Sequence, residues 1–150
     1  MKRVKKNAIY KDGYLFDSVP EVDRYYDLKC KELRGEVSQI HVHPVWLNLM
    51  ILSSTEWYSI QHLKTKDKRR VHKIDAIHYA PDFIYREGDK IILDEIKSDY
   101  TEKFADYRLK RKLIVKYMQH HMAYRGNQHI VFRQTIVTRY GFSEKDFLLQ

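Results

Sequence analysis

Apolar residues recur every three to four positions after Ser18, which is the spacing of one face of an α-helix. Ser18 and Glu21 have the spacing of a capping box, Pro20 suits the first helical turn, and Gly35 supplies a stop. We therefore predict a helix between Ser18 and Gly35. The stripe that we expect to face the core consists of Val19, Val22, Tyr26, Cys30 and Leu33.

Strand-like patterns fill the middle of the chain. Residues 37–43, 45–52 and 57–63 are rich in β-branched and apolar side chains. The highly charged run 64–70 cannot be buried, so we interpret it as the tip of a hairpin. Residues 71–86, with 77–86 as the best-defined part, and residues 90–97 predict two strands joined at Gly88. A link this short requires an antiparallel pair.

In the C-terminal third of the chain, apolar residues again recur at helical spacing before a further strand. Residues 101–122 predict a long basic helix, residues 129–138 a strand, and Ser143 the start of a short helix. The order is α-β-β-β-α-β with an inserted hairpin, all within one domain spanning residues 1–150. The fold class expected from this order is α/β (α+β), with a mixed central sheet flanked by helices.

Composition narrows the class of partner. The chain has 28 Lys and Arg against 20 Asp and Glu, a formal net charge of +8. A basic excess favours a polyanion, DNA or RNA, although many basic proteins bind neither. No apolar run is long enough to span a membrane. The single cysteine has no internal disulfide partner, which favours a reducing, cytoplasmic setting.

The residues with the clearest chemistry lie on the predicted hairpin of residues 77–97. Pro81-Asp82 is followed, after twelve intervening residues, by Glu95-Ile96-Lys97. Strand alternation puts Glu95 and Lys97 on one face and Asp94 on the other, and pairing can bring Asp82 beside them. Adjacent carboxylates are tolerated when a divalent cation neutralises them, and a nearby lysine can orient water. A plain surface ion pair is the alternative interpretation.

These motifs resemble the PD-(D/E)XK nuclease superfamily, and within it small phage-encoded enzymes described as Holliday-junction-resolvase-like. The resemblance spans roughly residues 16–117 and implies a restriction-endonuclease-like αβββαβ core. It implies that Asp82 and Glu95 bind Mg²⁺, or Mn²⁺ in its place, with the Ile96 carbonyl, and that Lys97 assists the attacking water. Glu21 would be a further acid. Ser98 departs from the glycine that many relatives have after the lysine.

Several residues keep two interpretations. Glu21 either caps the helix or serves the site, and Asp23 is a substitute acid. Asp94 is a reserve candidate, while Asp75 fits a strand end. His41 and His43 could form a transition-metal pair, but we interpret them as packing or solvent-facing residues.

The same resemblance implies DNA as the substrate and a homodimer as the working form. We expect a DNA endonuclease that acts on branched DNA in phage recombination or DNA processing, with no small-molecule cofactor and no membrane as partner. The alternatives are a flap or duplex nuclease and a basic binding module that does not cut. Residues 45–52 are our choice for the dimer surface. Two basic features are the predicted nucleic-acid contacts, with a solvated surface as the alternative for each. One is a ridge at helical spacing, formed by Arg108, Lys112 and Lys116. The other is the hairpin tip, with Lys66, Lys68, Arg69 and Arg70.

Overall fold

The secondary structure comprises two α-helices, one 3-10 helix and eleven strands in the described part of the chain. The computed structural model describes residues 7–63, 66–121 and 129–148, with the backbone alone for 58–63, 66–70 and 148. In chain order the elements are β1 (Ile9–Lys11), β2 (Tyr14–Phe16), α1 (Val19–Leu33), β3 (Ser38–Val42), β4 (Leu49–Leu52), β5 (Thr55–Leu63), β6 (Lys66–Ile74), β7 (Ile77–Tyr79), β8 (Phe83–Glu87), β9 (Lys90–Ser98), the 3-10 helix (Thr101–Lys103), α2 (Ala105–His120), β10 (Ile130–Thr138) and β11 (Gly141–Leu148).

A five-stranded sheet with the order β11-β10-β9-β8-β3 organises the fold. Only β9 and β10 run parallel in it, with α2 in the connection between them, and its other neighbours are antiparallel. Gly88, at a φ of +61°, lies in the turn between β8 and β9, where a residue without Cβ is favoured. The chain is therefore mixed α/β with a mostly antiparallel sheet, as predicted at that level.

The remaining strands form three separate pairs, β1–β2, β4–β7 and β5–β6. The pair β5–β6 is the predicted inserted hairpin. It extends further than expected, because Leu63 pairs with Lys66 and the charged residues 66–70 lie within β6. The run 64–70 was predicted as the tip of this hairpin, but its residues 66–70 are part of the strand β6, while residues 64–65 and the side chains of 66–70 lie outside the described part.

The two faces of the large sheet carry separate apolar clusters. Strand alternation sends Ile92 and Ile96 of β9 towards α1 and Leu93 towards α2. The cluster on the α1 side includes Phe16, Val22, Tyr25, Leu28, Phe83, Tyr85 and Val131. The cluster on the α2 side includes Tyr79, Ile84, Ile114, Met118 and Phe132. None of the helices in the described part is long and apolar enough to cross a membrane.

A buried polar network lies on the α1 side, beneath β9. The Arg24 guanidinium donates from Nε and Nη2 to Asp94 Oδ2 at 3.0 and 2.9 Å, and both side chains are fully buried. Thr135 Oγ1 donates to Asp94 Oδ1 at 2.6 Å, and the Tyr85 hydroxyl donates to Oδ2 at 2.9 Å. Burial raises the pKa of Asp94, whereas Arg24 and these hydrogen bonds act in the opposite direction. The network ties α1, β8, β9 and β10 together.

The face of α1 that packs inward differs from the predicted stripe. Val22 is buried, but Val19, Tyr26 and Leu33 are 58%, 44% and 88% exposed, and Cys30 is exposed. The physical reason is that the buried face carries two charged residues, which a hydropathy pattern assigns to solvent. The buried residues of α1 are Glu21, Val22, Arg24, Tyr25 and Leu28.

Three predicted boundaries also change. The short helix at Ser143 was wrong, because Gly141–Leu148 forms β11 and pairs with β10 from Thr138↔Gly141 onwards. The continuous strand 71–86 divides into β6, β7 and β8, and only Leu49–Leu52 of residues 45–52 is a strand. The breaks within 71–86 separate segments that pair with different strands, because β6 pairs with β5, β7 with β4 and β8 with β3. Local β-propensity does not predict such a change of partner.

Replacing Arg24 with methionine should destabilise the protein strongly. The Arg24→Met variant leaves the Asp94 carboxylate buried without its cation, a change that costs about 3–5 kcal/mol. Urea denaturation followed by circular dichroism measures the free energy of unfolding. Arg34→Ala is the control, because Arg34 pairs with Glu36 at the exposed end of α1 and little change is expected there. Similar stability of both variants would contradict a structural role for the network.

Candidate metal centre

One cleft, of about 370 Å³, gathers the acids that the sequence analysis singled out. It lies where β8 begins and β9 ends, beside the N-terminus of α1. Its walls include Glu21, Asp82, Glu95, Ile96, Lys97 and Lys110. Elements far apart in sequence therefore deliver these three carboxylates and two lysines to one space, which the exposed Asp17 also lines.

Asp82 lies between β7 and β8, and backbone hydrogen bonds to two neighbouring segments hold it in place. Its N–H donates to the Asp94 carbonyl at 3.0 Å, and its own carbonyl accepts from the His43 N–H at 2.9 Å. The Ile96 N–H donates to Asp82 Oδ2 at 2.8 Å. The side chain of Ile96 packs into the core on the α1 side, so only its backbone reaches the cleft. The carboxylate is thus aimed at the end of β9.

Glu95 and Lys97 share one face of β9, as alternation predicts. Lys97 Nζ lies 2.7 Å from Glu95 Oε1 and 5.0 Å from the centre of the Tyr107 ring. Glu95 is only 4% exposed. Burial acts to lower the pKa of Lys97, but Glu95 and Asp82 act to raise it, and the net effect is a raised pKa. Lys97 is therefore a cation in this cleft.

Glu21 both caps α1 and faces the cleft. Its N–H donates to Ser18 Oγ at 3.5 Å, while its Oε1 and Oε2 accept from Ser18 Oγ at 3.3 Å and from the Asp17 N–H at 3.1 Å. The side chain is nearly buried on the cleft wall. The two roles that the sequence left open are compatible, because capping fixes the carboxylate at the site.

The three carboxylates repel one another. Burial is the largest cause that raises the pKa of Asp82 well above its ordinary value, followed by the charges of Glu95 and Glu21. Lys97 and the Ile96 N–H act in the opposite direction without cancelling the effect. A divalent cation would relieve this repulsion, since it replaces a proton as the neutralising charge.

Unpartnered polar atoms surround the same cluster. In the described part of the chain, buried side-chain atoms without a hydrogen-bond partner are the hydroxyls of Tyr79 and Tyr107 and Nε2 of His43. Burial raises the pKa of both tyrosines, and the charges of Glu95 and Asp82 raise them further. An unsatisfied buried polar group costs about 1–3 kcal/mol, so these atoms favour a site that holds a polar ligand.

His43 lies beside these acids, although we interpreted it from the sequence as a packing or solvent-facing residue. One ligand atom from each of Glu21, His43 and Asp82 can be chosen so that all three lie within 4.8 Å of one another. His41 lies elsewhere, edge-on to Trp46 with ring centroids 5.8 Å apart, so the two histidines do not form the considered pair. The available signal was the position of His43 at the end of a strand, directly before Pro44.

The other predicted residues fall outside the cleft. Asp94 lies on the opposite face of β9, as predicted, and Asp23 and Asp75 are exposed. Lys110, whose Nζ lies 5.7 Å from the centre of the Tyr79 ring, lines the cleft without having been predicted there. The predicted ridge, called here the α2 ridge, consists of Arg108, Lys112 and Lys116. Together with Arg111 it lines a second pocket of about 360 Å³.

The fold and the cleft define a mixed α/β protein with a cluster of carboxylates and lysines at the end of its central strands. A family model described as "Protein of unknown function (DUF1064)" matches residues 1–130. The chain belongs to this DUF1064 family. No curated protein matches it. No solved structure matches it either.

Removing one charge from the cleft should stabilise the metal-free protein. An asparagine in place of Asp82 can still accept the Ile96 N–H, but it ends the repulsion with Glu95 and Glu21. In EDTA near neutral pH, we expect Asp82→Asn to raise the free energy of unfolding by about 1 kcal/mol. Thermal melts across pH measure the effect.

The pH dependence has a definite sign. Below the unfolded pKa of about 3.9 the Asp82 carboxyl carries a proton in both states, so its charge costs the folded state nothing. As pH rises towards the raised folded pKa, the wild type loses stability and the variant does not. The exposed Asp99 is the matched control, since Asp99→Asn should track the wild type at every pH. A constant difference across pH would contradict the charge repulsion.

Proposed function

We propose that this protein is a metal-dependent DNA endonuclease with a PD-(D/E)XK-type centre. The observation that carries the proposal is the convergence of Asp82, Glu95 and Lys97 in one cleft, with Asp82 directly before β8 and the other two on β9. Hydrolysis of a phosphodiester requires hard oxygen ligands for a cation, a positioned water, and positive charge for the developing transition state. These residue types are the ones present.

The residues fit a Mg²⁺ or Mn²⁺ ion. Asp82 and Glu95 offer carboxylate oxygens, and the Ile96 carbonyl belongs to the backbone that lines the cleft. When bound, the cation supplies charge neutralisation for the phosphate and lowers the pKa of a bound water. The raised pKa of Asp82 and the unpartnered hydroxyls of Tyr79 and Tyr107 support a polar ligand there.

The protein's own groups divide the remaining work. Lys97 is a cation held against Glu95, so its ammonium can donate to the attacking water or to a non-bridging phosphate oxygen. Glu21 is fixed by the cap of α1 and adds negative charge that favours cation binding. Lys110 also lines the cleft, where it can contact the phosphate beside the scissile bond.

DNA is the proposed substrate, and branched DNA is the proposed form. The net charge of +8 supports a polyanion, and the α2 ridge offers further phosphate contacts outside the cleft. The separate β5–β6 hairpin, with its basic run, could enter a junction. We further propose a restriction-endonuclease-like αβββαβ core, a homodimer and a cytoplasmic, phage-derived setting, supported by the element order, the motif resemblance and the free Cys30.

Cleavage should depend on both the cation and Glu95. We expect the wild type to cut a four-way junction in Mg²⁺ or Mn²⁺ and to be inactive in EDTA. The Glu95→Gln variant keeps the shape of the side chain but loses its charge, so the rate should fall by at least about a hundredfold. Denaturing gels on junction, flap, linear duplex and single-stranded DNA measure this rate.

Asp99→Asn is the matched control for this experiment, because Asp99 is an exposed acid near Glu95 in sequence. Cutting that survives Glu95→Gln would overturn the site. Tight binding without cutting in either metal would favour the binding module, and cutting only of flap or linear DNA would remove the junction assignment.

The α2 ridge should contribute affinity but no sequence preference. Replacing Arg108, Lys112 or Lys116 with alanine removes one cation that neutralises a phosphate, so binding should weaken alike on all sequences. The slope of log affinity against log salt should fall by about one for each cation replaced. Fluorescence anisotropy at several salt concentrations measures this slope, with Lys11→Ala on the small β1–β2 pair as the control. Unchanged slopes for all three variants would identify the ridge as a solvated face.

A further inference from the structure

We propose that Glu21, His43 and Asp82 form a second cation position in the cleft, which takes Mn²⁺ in preference to Mg²⁺. The inference deepens the proposed function and rests on it, because this position and the Asp82–Glu95 position share one carboxylate. The motif resemblance assigns no ligand to His43. The position is therefore a property of this chain's own geometry.

The distances define a compact donor set. One ligand atom from each of the three residues lies within 4.8 Å of the others, which is the spread expected around a single ion. His43 Nε2 lies 3.2 Å from Glu21 Oε2. That contact is close, yet its geometry is not that of a hydrogen bond, since Nε2 has no hydrogen-bond partner among the described residues. A cation placed between these two atoms would be bound by both of them.

The backbone conformation of His43 supports its proposed role as a metal ligand. Its φ is +45°, in the left-handed region that a histidine occupies uncommonly and at a cost. The His43 N–H nevertheless donates to the Asp82 carbonyl, which fixes this conformation beside the acid. The ring packs near Phe16, with centroids 6.1 Å apart. A strained backbone, a hydrogen bond and an apolar wall together hold the imidazole towards Glu21 and Asp82.

The donor chemistry sets the metal preference. Mg²⁺ binds oxygen ligands almost exclusively, whereas Mn²⁺ accepts carboxylate oxygens together with an imidazole nitrogen. Two carboxylates and one imidazole therefore discriminate in favour of Mn²⁺. They leave the remaining coordination positions to water. The Asp82–Glu95 position, built from oxygens, lacks that discrimination.

Mn²⁺ binding to the full chain tests the proposal without a nuclease assay. Electron paramagnetic resonance of free Mn²⁺ gives the affinity, and the electron spin echo modulation of bound Mn²⁺ shows whether a ¹⁴N nucleus is coordinated. We expect ¹⁴N modulation in the wild type and its loss in His43→Gly, with Mn²⁺ affinity at that position reduced at least about tenfold. Mg²⁺ affinity, measured by competition, should change much less.

His43→Gly is chosen because glycine adopts a φ of +45° without strain, so the backbone conformation is preserved. His43→Asn, which also tolerates this region, gives a second variant without the imidazole. His41→Ala is the matched control and should keep the ¹⁴N signal. Thermal melts of all variants in EDTA establish that they fold.

The outcomes separate this inference from the proposed function. Glu95→Gln should abolish cutting while Mn²⁺ and its ¹⁴N signal persist at the Glu21–His43–Asp82 position. Unchanged Mn²⁺ affinity and ¹⁴N modulation in His43→Gly would overturn the second position and leave the nuclease proposal intact. Loss of the signal in His43→Gly, in a protein that cuts no DNA, would support the position and contradict the nuclease.

Discussion

The buried contact between Arg24 and Asp94 determines which way the functional strand faces. Asp94 accepts from Arg24, Tyr85 and Thr135 on the α1 side of the sheet, so β9 cannot slide by one residue without exposing that carboxylate to an apolar cluster. Because side chains alternate along a strand, this one attachment directs Glu95 and Lys97 to the other face. The geometry of the cleft therefore depends on a network that never touches it.

Two adjacent acids on β9 show how differently the two faces treat charge. Asp94 accepts from the Arg24 guanidinium, which also pairs with Asp27 and Glu144, and from two hydroxyl donors, so the protein itself supplies a cation against its charge. Glu95 has Lys97 at 2.7 Å, but Asp82 and Glu21 add two further negative charges to its cleft. The acid on one side of the sheet thus has an internal counter-charge, whereas the acids on the other side carry an excess of negative charge that the proposed cation would neutralise.

Sequence periodicity predicted the parts of this structure that follow from local geometry. The cap at Ser18, the β8–β9 hairpin and the opposite faces of Asp94 and Glu95 all arise from turn chemistry and strand alternation. The packing face of α1 was missed, because Arg24 is buried through partners that lie 61 and 70 residues away in sequence. The position of His43 beside Glu21 and Asp82 was not predicted either, since its left-handed backbone removes it from the alternation of β3.

The cleft concentrates several features that oppose folding. Like charges surround Asp82, polar atoms of Tyr79 and Tyr107 lack partners in the described chain, and His43 holds a strained backbone conformation. Substitutions that relieve any one of these would be expected to stabilise the chain, so their presence together in one place requires a compensating reason. A bound cation with its ordered water would answer all of them at once, by neutralising the acids, hydrating the hydroxyls and using the imidazole nitrogen. That common remedy is a stronger argument for a metal centre than the motif taken by itself.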